Sequence, residues 1–147
     1  MPDGSVDPGN IDSSEWPAFL AGLTSAFTLS TSNQTLPMAT EVFDNTGDYD
    51  PTTYTFTAPI DGNYEFNATA LGSNSSSGRL ILGIEINGST VYSGTQSTDT
   101  FSSGTVGVLL SLSATDTVKL VGKCNGISSI PLVTGTTNTR FWGKLVP

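Results

Sequence analysis

Histidine is missing from the chain, and cysteine occurs once, at Cys124. Without histidine, the side chain that most often serves as general base or metal ligand near neutral pH is unavailable. A single thiol excludes a disulfide within the chain, and an unpaired thiol suits folding in a reducing cytoplasm. Cys124 has no histidine to activate it, and its surroundings, "GKCNG", read as a turn. The expectation is therefore a structural or incidental thiol rather than a nucleophile. Serine is plentiful but lies in no G-x-S-x-G elbow. The sequence reads as non-enzymatic, with no catalytic residues and no cofactor.

Charge is also scarce, at 12% of 147 residues, and it is unevenly placed. Residues 1–65 carry ten acids and no Lys or Arg, while residues 66–147 carry three acids and all five basic residues, so −10 and +2 sum to the net −8. An acidic front half repels phosphate, which excludes nucleic acid as a partner. It suits a basic protein surface, although solvated acids also serve simply to keep a chain soluble. No apolar run is long enough to cross a bilayer, and "MPDGSVDPGN" lacks the basic flank and apolar stretch of a signal peptide. The expectation is a soluble chain made without export and without a membrane partner.

Thr, Ser, Gly and Asn are abundant, as suits strands and turns. In "RLILGIEING", Leu80, Leu82, Ile84 and Ile86 share one strand face, and Asn87-Gly88 supplies a tight hairpin turn. Similar alternation recurs along the chain and predicts eight to ten short strands in an antiparallel sandwich. Residues 1–24 differ, being rich in Pro, Gly and Asp at their start. They predict an extended N-terminal arm whose "PAFLAGL" forms a short helical turn capped by Ser13 or Ser14. Ile11, Trp16, Phe19 and Leu20 are its candidate anchors, and residues 25–147 form the head.

The aromatic residues cluster. In "NYEFNATA", Tyr64, Phe66, Ala68 and Ala70 fall on one face, and Tyr49, Tyr54, Phe56, Phe141 and Trp142 add further rings. That is a large aromatic content for one small core, and a shared axis between subunits would take the surplus. Asp44, Tyr49, Phe56, Gly62, Tyr64 and Phe66 have the spacing D-x4-Y-x6-F-x5-G-x-Y-x-F. This resembles the signature of the complement C1q globular head, a relative of the tumour necrosis factor (TNF) jelly roll. "SAFTL" is similar to that family's opening Ala-Phe strand, and "TRFWGKLVP" to its closing strand with an aromatic-x-Gly ending. Two positions depart from the pattern, Met38 and Ala68, where the family usually carries aromatics. The resemblance implies an all-β, ten-stranded jelly roll assembled as a homotrimer. Its interface or core aromatics would be Tyr49, Phe56, Tyr64, Phe66, Phe141 and Trp142, and Gly62 would ease the backbone into its strand.

"DNTGDYD" offers Asp44, Asn45, Asp48 and Asp50 as hard oxygen donors, but it lacks the spacing and closing Glu of a calcium loop. Turn capping is the expected role, with no metal. Members with a collagen-like stalk carry Gly-x-y repeats, which are missing here. The function expected is therefore a bacteriophage virion protein: a trimer decorating the capsid exterior, made in the host cytoplasm and held to the major capsid protein by its arm. The alternative is a fibre or appendage head that binds a cell-surface glycan.

Overall fold

In the computed structural model, which describes residues 15–73, 78–94 and 103–147, the alternating stretches are strands. In chain order they are β1 (Ala18–Gly22), β2 (Thr28–Leu29), β3 (Gln34–Thr35), β4 (Thr40–Asp44), β5 (Tyr49–Asp50), β6 (Thr55–Thr57) and β7 (Gly62–Leu71). There follow β8 (Arg79–Ile86), β9 (Ser89–Gly94), β10 (Ser103–Leu112), β11 (Thr117–Asn125), β12 (Ile130–Pro131) and β13 (Arg140–Val146). One sheet runs β10-β7-β13-β1-β4; the other runs β5-β6-β11-β8-β9, with β3 also paired to β11. Every ladder is antiparallel. This is the expected all-β jelly-roll sandwich, and short two-residue ladders such as β2 with β12 raise the strand count above the eight to ten foreseen.

Strands β7 and β8 follow the alternation in the sequence. Tyr64, Phe66, Ala68 and Ala70 point into the sandwich from one sheet, and Leu80, Leu82 and Ile84 from the other. The β8–β9 hairpin turns on Asn87 (φ 50°) and Gly88 (φ 85°), the pair of left-handed residues that a tight primed turn requires.

The N-terminal reading needs correction. "AFLAG" is strand β1, not a helical turn in an arm, and it lies between β13 and β4, with Ala18 opposite Lys144 and Phe19 opposite Asp44. Phe19 is buried at the centre of the rings: 4.7 Å from Tyr49 and 5.2 Å from Phe56, both stacked, and 5.1 Å from Phe141 edge-on. It cannot be an external anchor. The head therefore begins before residue 25, and Ala18-Phe19, not Ala26-Phe27, opens the sandwich. Ile11 lies outside the described residues.

The surplus of rings also disappears. Tyr49, Phe56, Tyr64, Phe66 and Phe141 are all buried within the single chain, packed edge to face or stacked, and only Trp142 of the expected six turns outward. Space for them comes from Gly143, where an added Cβ would sit 2.5 Å from Phe66 Cδ1 and 3.0 Å from Phe19 Cε1. Met38 and Ala68, the two departures from the family pattern, are buried in the same core. Gly62 gives room to its neighbour rather than backbone freedom. Its φ is not in the left-handed region, and a Cβ there would lie 2.7 Å from Leu145 Cδ1.

Cys124 is not in a turn. It lies in β11 opposite Leu80, is buried, and directs its thiol to the Ile127 carbonyl at 3.3 Å. The turn begins two residues later, at Gly126 (φ 77°).

Candidate functional site

Alternation that turns Phe141, Gly143 and Leu145 inward turns Arg140, Trp142 and Lys144 outward. The ladders align these residues with their neighbours into rows across the outer face of the five-stranded sheet. One row runs Phe43, Leu20, Trp142, Asn67, Gly107, and the next runs Ala18, Lys144, Glu65, Leu109. Phe43 is 45% exposed, Val42 51% and Leu109 62%, the large apolar side chains most open to water on this sheet.

Trp142 is the centre of this face. The Arg140 guanidinium lies over its ring, 4.9 Å from the centroid, a cation–π contact that also places the charge beside apolar walls. The Arg140 Nε is buried with no hydrogen-bond partner among the described residues. On one side of the indole, a hollow of about 180 Å³ is lined by Phe43, Glu65, Asn67 and Lys144. A second, of about 300 Å³, lies between Leu20, Phe43, Arg140 and Trp142. The nearest ion pair, Lys144 to Glu65 at 4.0 Å, is exposed on both sides and contributes little.

Of the expected anchors, Leu20 stands in the middle of this face, and Trp16 is tied to the head through its indole Nε1, which donates to the Leu145 carbonyl at 2.6 Å. The acidic loop beside β4 caps itself. Asp44 accepts from the backbone N–H of Gly47, Asp48 and Tyr49, and Asp50 accepts from the Thr52 N–H and hydroxyl. These bonds hold Asp50 below the usual carboxylate range. Asp48 is pushed up by burial, and Glu41 by burial and then by the charges of Asp44 and Asp50. Burial also raises the Cys124 thiol, which opposes nucleophilic use.

Phe43, Val42, Arg140 and Leu109 were not singled out in the sequence, although a signal for Leu109 existed. "GVLLSL" places Leu109 and Leu110 side by side, and a period-2 strand must send one of them outward; in "TEVFD" the register shift against β1 leaves Val42 without an opposite residue, and both it and Phe43 are exposed. The face has no nucleophile with a base beside it. Its chemistry is that of apolar and aromatic association.

The sequence profile of the C1q domain matches residues 18–146, from the first residue of β1 to the last of β13, rather than starting near residue 25. Comparison with curated proteins returns no match. Among solved structures, the globular domain of zebrafish complement 1qA protein is similar at 20% identity and TM-score 0.70, covering 90% of this chain and 98% of that one. Eiger TNF from S. frugiperda aligns at 10% identity and TM-score 0.66, over 89% of this chain and 94% of that chain. Murine APRIL aligns at 11% identity and TM-score 0.63, over 88% and 99%. At such identities the likeness is one of fold. The profile match over nearly the whole chain, joined to the aromatic core it spans, assigns the family: the chain belongs to the C1q domain family.

Proposed function

We propose that this chain is a non-enzymatic head that assembles as a homotrimer across its Trp142 face. The observation that carries this is the apolar row of exposed Phe43 and half-buried Leu20 and Trp142, with exposed Val42 next to Phe43 on β4 and exposed Leu109 on the far edge strand β10. Exposed apolar side chains grouped on one sheet face mark an interaction site. Leu109 is on edge strand β10 and Phe43 on the opposite edge, β4. Contact between unlike edges is head-to-tail, the kind of interface that forms a ring when its rotation closes, as in the trimer implied by the family resemblance.

Sedimentation equilibrium at micromolar concentration is expected to return about three times the 15.3 kDa chain mass. Trp142→Glu or Leu109→Glu should yield folded monomers. A monomeric parent chain would overturn the reading.

The biological role we propose for the trimer is decoration of a bacteriophage capsid exterior, with assembly in the host cytoplasm and contact to the major capsid protein. The support is compositional: an acidic leading segment suited to a basic shell, and an unpaired thiol. With Phe19 in the core and Leu20 in the sheet, the anchoring role moves to residues 1–14, where Ile11 is the apolar candidate and Asp3, Asp7 and Asp12 supply charge. A chain of residues 15–147 should keep its trimer and lose attachment to particles lacking the protein. Attachment equal to that of the full chain would instead favour a fibre or appendage head that binds a cell-surface glycan.

A further inference from the structure

The sequence contains two Asn-Gly pairs, Asn87-Gly88 and Asn125-Gly126, and the structure treats them oppositely. Both asparagines are exposed, and both glycines have positive φ with open space where a Cβ would be. The Asn87 side chain, however, is pinned. Its Nδ2 donates to Asp116 at 3.0 Å, and its Oδ1 accepts from the Thr117 N–H at 2.9 Å and from the Thr117 hydroxyl at 3.4 Å. The Asn125 side chain makes no hydrogen bond among the described residues. Their electrostatic settings differ as well. Asn87 touches a carboxylate, whereas Asn125 stands opposite Arg79 in the β8–β11 ladder and follows Lys123 on the same strand face.

We propose that Asn125-Gly126 is a self-modification site at which the folded protein converts an amide into a carboxylate, while Asn87-Gly88 is held inert. The Gly126 backbone nitrogen, on losing its proton, attacks Asn125 Cγ and forms the N–Cγ bond of a five-membered imide. The Cγ–Nδ2 bond breaks, and the side-chain nitrogen leaves as ammonia with the proton supplied back by water. Water then opens the imide at one of its two carbonyls, giving aspartate or isoaspartate. No oxidant or cofactor enters.

Glycine at the second position removes the Cβ that would obstruct the attack, and both pairs share this. What separates them is the freedom of the side chain to swing onto the backbone and the sign of the nearby charge. An anionic nitrogen and the oxyanion that follows are favoured beside Arg79 and Lys123 and disfavoured beside Asp116. The product adds one negative charge to the net −8, opposite Arg79. Isoaspartate also inserts a backbone carbon between residues 125 and 126, one residue ahead of Ile127, whose carbonyl receives the Cys124 thiol.

The test is to incubate the full chain, folded, at mildly alkaline pH and to follow each Asn-Gly peptide by mass spectrometry, with isoaspartyl methyltransferase labelling to distinguish the products. Asn125 is expected to convert at least about tenfold faster than Asn87, roughly the factor set by opening the side-chain hydrogen bonds that hold Asn87 to Asp116 and Thr117. In the denatured chain the two rates should converge. Asn125→Gln should abolish the acidic species seen by isoelectric focusing, and Asp116→Ala, which frees the Asn87 amide, should narrow the gap. Equal rates in the folded chain, a gap that persists on denaturation, or conversion only at Asn87 would overturn the proposal.

Discussion

Replacing Phe19 by Ala tests whether the first strand belongs to the head. The ring is fully enclosed and contacts four others, with centroids at 4.7 Å (Tyr49), 5.2 Å (Phe56), 5.1 Å (Phe141) and 6.4 Å (Phe66). Removing a buried Phe side chain costs about 3 to 5 kcal/mol, and neighbours fixed on four strands leave little room for collapse, which points to the upper half of that range. Against a total stability of roughly 5 to 15 kcal/mol this is a large fraction. At about 2 to 4 °C per kcal/mol for a chain of this size, the melting temperature should fall by roughly 8 to 20 °C. The assay is thermal unfolding followed by circular dichroism, with parent and variant at equal concentration because assembly makes melting concentration-dependent. If Phe19 were an external anchor, the isolated protein would melt as before. A shift of less than about 2 °C, typical of an exposed site, would refute the placement of β1 in the core.

Gly143→Ala puts a Cβ 2.5 Å from Phe66 Cδ1 and should cost about 1 to 3 kcal/mol by overpacking, read as a lower urea midpoint. Thr115 is a β-branched residue held at φ 76°, so Thr115→Asn should relieve strain and add about 0.5 to 1 kcal/mol, with the urea m-value unchanged. Asp116 accepts from Asn87 and from the Ser113 N–H, which lowers its pKa, the Asn87 bond being the larger cause. Its contribution to stability is thus complete above the ordinary aspartate value and is lost as pH falls through the depressed one; carboxyl NMR titration should place its midpoint below that of a denatured control.

Much of the sandwich was legible because its middle strands are long and strictly alternating. β7 and β8 needed only period 2, and Asn87-Gly88 marked its own turn. The opening strand was obscured by a duplicated signal, Ala18-Phe19 and Ala26-Phe27, of which only the first pairs with β13 and β4. Sequence spacing does not say which copy reaches a partner more than a hundred residues away. The count of rings misled for a similar reason. How many rings one core holds depends on clearance at positions such as Gly143, and a one-dimensional pattern does not carry that clearance. Part of the exposed face was legible from the adjacent pair Leu109-Leu110, one of which must face outward, whereas exposure of both Val42 and Phe43 follows a register shift between β1 and β4 that period 2 does not foretell.

The position of β1 also governs how this molecule comes into being. Of the described strands, the first is clamped by the last: Ala18 pairs with Lys144, and the Trp16 indole reaches the Leu145 carbonyl across 129 residues of chain. During synthesis, Phe19 therefore emerges long before anything exists to cover it. The five-stranded sheet cannot close until β13 has been made, and the distant pairing makes that closure slow. Until then the apolar residues of β1 lack their cover, the condition in which transient folding species are prone to aggregate.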